Sequence, residues 1–193
     1  MNNPEFVKVG EKKYKINTYF RVAIECNSIA TDDTIGDVER PLAIIYKLFG
    51  DEGLNSPDDW DKLLELAIKY LCLGKELDES NEEPDMDFVQ DMSYIEASFM
   101  SDYRIDLSNI KMHWWKFYQL IEGLSNSELG NCCVLNRIRN LRTLDVSKIK
   151  DPKEKAKILN SKKQFSLKKL ERNISKEEEQ NQDEFFDRLD GGD

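Results

Sequence analysis

The sequence is most informative in what it lacks. Among 193 residues there is one histidine, His113, so an acid–base pair built on two imidazoles is excluded. No Cys-x-x-Cys occurs, and the four cysteines, Cys26, Cys72, Cys132 and Cys133, do not assemble with one imidazole into a zinc-ligand spacing. Most of them fall in apolar helical patterns, where cysteine is a small buried hydrophobe, and a reducing compartment is the expectation. Neither GxxxxGK[ST] nor GxGxxG is present, so the common phosphate cradles are missing. No apolar run approaches the roughly 18 residues of a membrane span, and the first residues, MNNPEFVKVG, contain no apolar stretch of the signal-peptide kind. Positive charge is also in deficit. Net charge is −10 and the pI about 4.8, against the basic face that phosphate contacts require.

What remains is a hydrophilic chain, mean hydropathy −0.65, with 39% hydrophobic and 34% charged residues, enough for one good-sized core. Phe6–Val9 and Tyr14–Ile16 alternate around Gly10, which predicts a β-hairpin over about 5–16. Helical spacing follows. Asn17 or Thr18 caps a helix through Phe20, Ala23 and Ile24. A second carries Val38, Leu42, Ile45, Tyr46 and Phe49 and stops at Gly50. Ser56-Pro57-Asp58-Asp59 opens a third that ends at Gly74, and Phe88, Met92, Ile95 and Phe99 mark a fourth.

The densest aromatic stretch is Asp102–Gly123. Leu107, Ile110, Trp114, Phe117, Tyr118 and Ile121 recur at steps of three and four, predicting one long helix capped by Asp106 or Ser108 and stopped by Gly123. Trp115 lies off that stripe, so the helix is apolar on more than one face: either central in the core or a docking surface. Ser125-Asn126-Ser127-Glu128 reads as a capping box before a helix bearing Cys132, Cys133, Ile138 and Leu141, and Asp151-Pro152 opens a last helix to about Arg172. Residues 173–193 are acidic and poor in aliphatics apart from Phe185-Phe186 and Leu189, the composition of a mobile tail. The expected fold is mainly α: an irregular helical bundle over 1–172 with a short N-terminal hairpin, followed by the tail.

Charge is uneven along this chain. Carboxylates dominate between Asp51 and Asp106, lysines from Lys148 to Arg172, and acids again after Lys176. Solvated helix faces, head-to-tail self-association or a grip on a charged partner would each give that polarity. A lone histidine between Met112 and Trp114 is a packing or interface residue more readily than a catalyst. The Asp78 to Asp91 carboxylates lack calcium-loop spacing, which leaves a metal-dependent enzyme as a remote alternative. No catalytic residue, cofactor or metal is expected.

Residues Tyr94-Ile95-Glu96-Ala97-Ser98-Phe99, then Asp102-Tyr103-Arg104-Ile105-Asp106-Leu107, then Met112-His113-Trp114-Trp115-Lys116-Phe117 resemble conserved blocks of the "gene-product fifteen" family of tailed phages of Gram-positive bacteria. The resemblance extends to Asn17-Thr18-Tyr19-Phe20-Arg21, to the basic run Arg137–Arg142 and to Ile149-Lys150-Asp151. It implies a tail-assembly chaperone of a long-tailed phage, acting in the host bacterial cytoplasm and absent from the finished virion. The implied partners are the tape-measure protein, the major tail protein and an upstream tail-assembly chaperone. Neither membrane nor nucleic acid is implied. Trp114, Trp115, Phe117, Tyr118, Tyr103 and Arg104 are the candidate partner-binding residues, against the alternative that Trp114 and Phe117 are core. A small phage regulator that binds another protein, in the manner of an anti-repressor, is the competing functional class.

Overall fold

The computed structural model describes residues 3–75, 84–126 and 132–168. The fold is mainly helical, with seven α-helices among the described residues after an N-terminal antiparallel hairpin. Strands β1 (Phe6–Val9) and β2 (Lys12–Lys15) pair with Val7 opposite Tyr14 and turn at Gly10, whose φ of +57° suits glycine. Two strands alone are marginal. Here Tyr14 anchors them: its ring is buried edge-on to Phe49, and its hydroxyl donates to the Asp59 carboxylate at 2.6 Å.

Helix α1 (Phe20–Ala30) packs on α2 (Glu39–Leu54), and α2 packs on α3 (Trp60–Leu71). The expected stop at Gly50 is a break inside α2: φ +65° and ψ −159° leave helical space, and the chain then makes one more turn. That turn exists because Gly53 has no side chain; a Cβ there would lie 2.6 Å from the Phe49 Cβ. Ser56 does not cap α3 through its side chain. Its hydroxyl turns back to the Glu52 carbonyl, and a 3-10 turn, Pro57–Asp59, leads into α3.

Helix α4 (Met92–Tyr103) precedes helix α5 (Trp114–Glu122), which starts later than the caps expected at Asp106 or Ser108. Asp102 and Tyr103 belong to α4. Arg104 then adopts a left-handed conformation, φ +58°, and closes α4 with bonds from Arg104 N to Met100 O and Ile105 N to Phe99 O. Asp106 caps no helix; its carboxylate accepts from the Ser108 amide and hydroxyl and from Asn109, a side-chain-closed turn. Leu107 is buried from this loop, while Ile110 is exposed.

Helix α6 (Val134–Thr143) begins at Cys133, whose sulfur accepts from the Asn136 amide, later than the proposed capping box. Ser127 and Glu128 of that box lie outside the described residues. Helix α7 (Pro152–Phe165) starts at Asp151 as expected but ends at Phe165, short of Arg172. The expected tail over 173–193 also lies outside the described residues.

The buried side chains from the hairpin to α6 form one continuous core. Its centre is α5. The Phe117 ring stacks on Phe20 of α1 at 4.3 Å and on Phe99 of α4 at 5.4 Å, joining the α1–α2–α3 side of the molecule to α4 and α6. Helix α7 buries no residue and leans on α6 from one side.

Candidate functional site

Helix α5 owes its position to three tethers at its start. Residues 18–20 and 112–114 pair as a β-bridge, with Phe20 N donating to Met112 O and Trp114 N to Thr18 O. His113 is the N-cap: its Nδ1 accepts from the Trp115 amide at 3.1 Å, which leaves Nε2 protonated and 3.0 Å from the Pro4 carbonyl. The sole histidine thus clips the N-terminal segment to the aromatic helix, using both ring nitrogens.

The two adjacent tryptophans then act as a clamp on the end of α3. Trp114 Nε1 donates to Leu71 O at 3.0 Å, and Trp115 Nε1 to Tyr70 O at 2.9 Å. These carbonyls belong to the last turn of α3, at the negative end of the helix dipole; Tyr70 O also accepts from Leu73 N at 3.1 Å, while Leu71 O is met by the Trp114 indole. The third indole does the same for α2: Trp60 Nε1 donates to Leu54 O and Gly53 O. Nothing in local sequence announces this use of tryptophan as a C-terminal cap.

The six candidate residues occupy three environments. Trp114 and Phe117 are fully buried in the core. Trp115 and Tyr118 are half-buried on the α3 side: the Trp115 ring stacks on Tyr70 and covers Gly74, while Tyr118 meets the edges of Trp114 and Phe88. Burial pushes the Tyr118 hydroxyl above its usual pKa, and the Glu122 charge adds to this. Tyr103 lies on the opposite flank of α5, its hydroxyl donating to Leu120 O at 2.9 Å, and Arg104 beside it is exposed. Partial burial likewise raises the Tyr103 pKa. These residues therefore do not converge on one patch; Trp115 and Tyr118, one turn apart on α5, both stay part-exposed beside the α3–α5 junction.

The acidic segment has a structural occupation. Asp91 is buried and bidentate to Arg142, with Nη1–Oδ2 2.7 Å and Nη2–Oδ1 2.8 Å. Arg142 also donates to the carbonyls of Asp85 and Phe165, and Asp85 accepts from Arg139 Nε at 2.9 Å. Asp87 accepts from the amides of Val89 and Gln90. Three carboxylates proposed for a metal thus hold arginines and a turn; Asp78, Glu79, Glu82 and Glu83 of the same stretch lie outside the described residues. Among the described residues, no cluster of three His, Cys, Asp or Glu could hold a metal ion, and no helix is long and apolar enough to cross a membrane. The cysteines are unbridged, and burial pushes the Cys26 thiol up to about 12, which keeps it protonated and inert.

Residues 2–167 match the family described as Bacteriophage Gp15 protein. The chain belongs to this family. The match spans the hairpin, the seven described helices and the α3–α5 junction, and stops just short of Lys168, before the acidic segment. No curated protein and no solved structure matches the chain.

Proposed function

We propose that this phage protein is a tail-assembly chaperone that binds the tape-measure protein, the major tail protein or both in the host cytoplasm and leaves before the virion is complete. The observation that carries this reading is membership of the Gp15 family over almost the whole structured chain, since the resemblance of its motif blocks implies that role. Physical features fit it. A tape measure is a long helical protein with apolar surface that aggregates until the tail tube covers it. A helical binder with partly exposed aromatics and a net charge of −10 can cover such surface and hold the complex in solution.

Within that reading the contact begins at Trp115 and Tyr118. Both keep an exposed edge and are rigidly seated, so they enter an interface with little loss of rotamer freedom. Trp114 and Phe117 support them from below, and Tyr103 and Arg104 would serve only a partner wrapping across the helix. Binding of the purified protein to a tape-measure fragment, compared between wild type and Trp115→Ala, tests this. The expected result is an affinity loss of tenfold or more with the fold retained. Unchanged affinity removes the junction from the interface, and no binding by the wild type removes the tape measure as direct partner.

A further inference from the structure

Residues 137–168, spanning most of α6 and all of α7, carry eleven Lys and Arg against three Asp and Glu, in a chain whose overall charge is −10. Part of this charge is committed internally. Arg139 and Arg142 turn inward to Asp85 and Asp91, Lys148 pairs with Asp145, and Lys162 reaches the Leu144 carbonyl. Lys153, Lys155, Lys157 and Lys163 have no carboxylate partner among the described residues. Two leucines sit exposed in this basic setting, Leu144 at 42% and Leu159 at 45%. Leu159 and Lys162 share a face of α7 at i and i+3, and Lys162 Nζ donates to the Leu144 backbone carbonyl, which places the chain at Leu144 beside that face. A helix with no buried residue, an apolar pair and a lysine rim is built to be covered.

The rest of the chain supplies a matching segment. Residues 173–193 hold eight Asp and Glu against two Lys and Arg, and in their midst stand Phe185, Phe186 and Leu189. The described chain ends beside the arm at Lys168, whose amide and carbonyl both bond to the Gln90 side chain, at 2.8 and 2.9 Å. From there the stretch before Phe185 spans up to about 50 Å when extended. Helix α7 is about 21 Å long by its rise per residue. The aromatic pair thus reaches Leu159 with ample slack.

We propose that the chain's own acidic segment, residues 173–193, docks on the basic face of α7 with Phe185 and Phe186 seated on Leu144 and Leu159. Seated there, it neutralises the lysine-rich face of α7. This rests on charge and geometry and holds whatever the α3–α5 junction binds.

Zero-length carbodiimide coupling of the full chain at low concentration, read by mass spectrometry, tests it, because only a carboxylate and an amine in direct contact join. The expected products are amides between carboxylates of Glu177–Asp190 and lysines of Lys153–Lys168 within the monomer band. Their yield falls severalfold in high salt and in the double variant Phe185→Ala, Phe186→Ala. Links found only in the dimer band overturn the proposal in favour of a second copy. Co-purifying nucleic acid whose digestion is needed to expose these lysines overturns it in favour of that ligand. Absence of tail-to-α7 links overturns it outright, and an unchanged yield in the double variant overturns the seating of the two phenylalanines.

Discussion

Adjacent tryptophans of the same type do different work. Trp114 is buried among Phe88, Phe117 and Tyr118, whereas Trp115 keeps an exposed edge; yet each indole N–H ends on a carbonyl of α3's last turn. Removing Trp114 leaves a cavity and an orphaned carbonyl, so Trp114→Ala costs about 3–5 kcal/mol. Trp115→Ala loses one hydrogen bond and one stacking contact, about 1–3 kcal/mol. Denaturant unfolding of the two variants checks this, and equal losses would contradict the division between core and surface. Sequence legibility splits along the same line. The three-and-four spacing marks Trp114, Phe117 and Ile121 correctly as an inward stripe, and Trp115 as standing off it. The partners of the indoles were not legible, because backbone carbonyls have no sequence identity and the pairing is set by how α5 crosses the end of α3.

At the scale of elements, the hairpin and the start of α3 are one unit. Asp59 sits between Lys12 Nζ at 2.8 Å and the Tyr14 hydroxyl at 2.6 Å. The lysine first and the hydroxyl second hold the Asp59 carboxyl below its usual range, and Asp59 in turn raises the Lys12 ammonium. A depressed carboxylate adds stability above its unfolded value near 3.8, lost as pH falls through the folded one; a raised ammonium adds stability below 10.5, lost as pH rises beyond it. The clip therefore works between those limits. Melting curves of Asp59→Asn against wild type are expected to differ across that plateau and to converge at its acid end; a constant difference at all pH values would contradict the linkage.

A second unit is the Asp91–Arg142 pair, which ties the start of α4 to α6 and to the end of α7. Side-chain exposure is 10% for Arg142 and 1% for Asp91, so Arg142→Ala strands a buried carboxylate and costs about 3–5 kcal/mol. Replacing both, Asp91→Leu with Arg142→Met, restores much of that; a double variant as unstable as the single one would show that the ion pair itself, and not the stranded charge, matters. Fifty-one residues separate the two, and no local pattern joins them. The basic run Arg137–Arg142 looks like an outward face in sequence, and the structure turns Arg139 and Arg142 in. The start of α5 was illegible for a related reason. Leu107 and Ile110 continue helical spacing by accident, from a loop that follows Arg104, which closes α4 in a conformation that glycine usually marks.

At the scale of the whole molecule, the hairpin, the helix order and the class of the fold follow from alternation, helical spacing and the Asp151-Pro152 start. The arrangement of helices about α5 does not, since it depends on Phe117 meeting Phe20 and Phe99 from distant parts of the chain. The chain is acidic overall, at −10, while the described body has partly exposed aromatics at the α3–α5 junction and a lysine-rich arm at α7. That division suits an assembly factor, whose work is to hold another protein's apolar surface and let it go.

The central claim is tested most directly by co-expressing the full chain with the tape-measure protein of its own phage and measuring the soluble, co-purifying fraction. The account predicts that the tape measure is soluble only in the presence of this chain, that the two elute together, and that Trp115→Ala reduces both effects. A tape measure that stays insoluble, with nothing co-purifying, would contradict direct binding and turn attention to the major tail protein or an upstream chaperone.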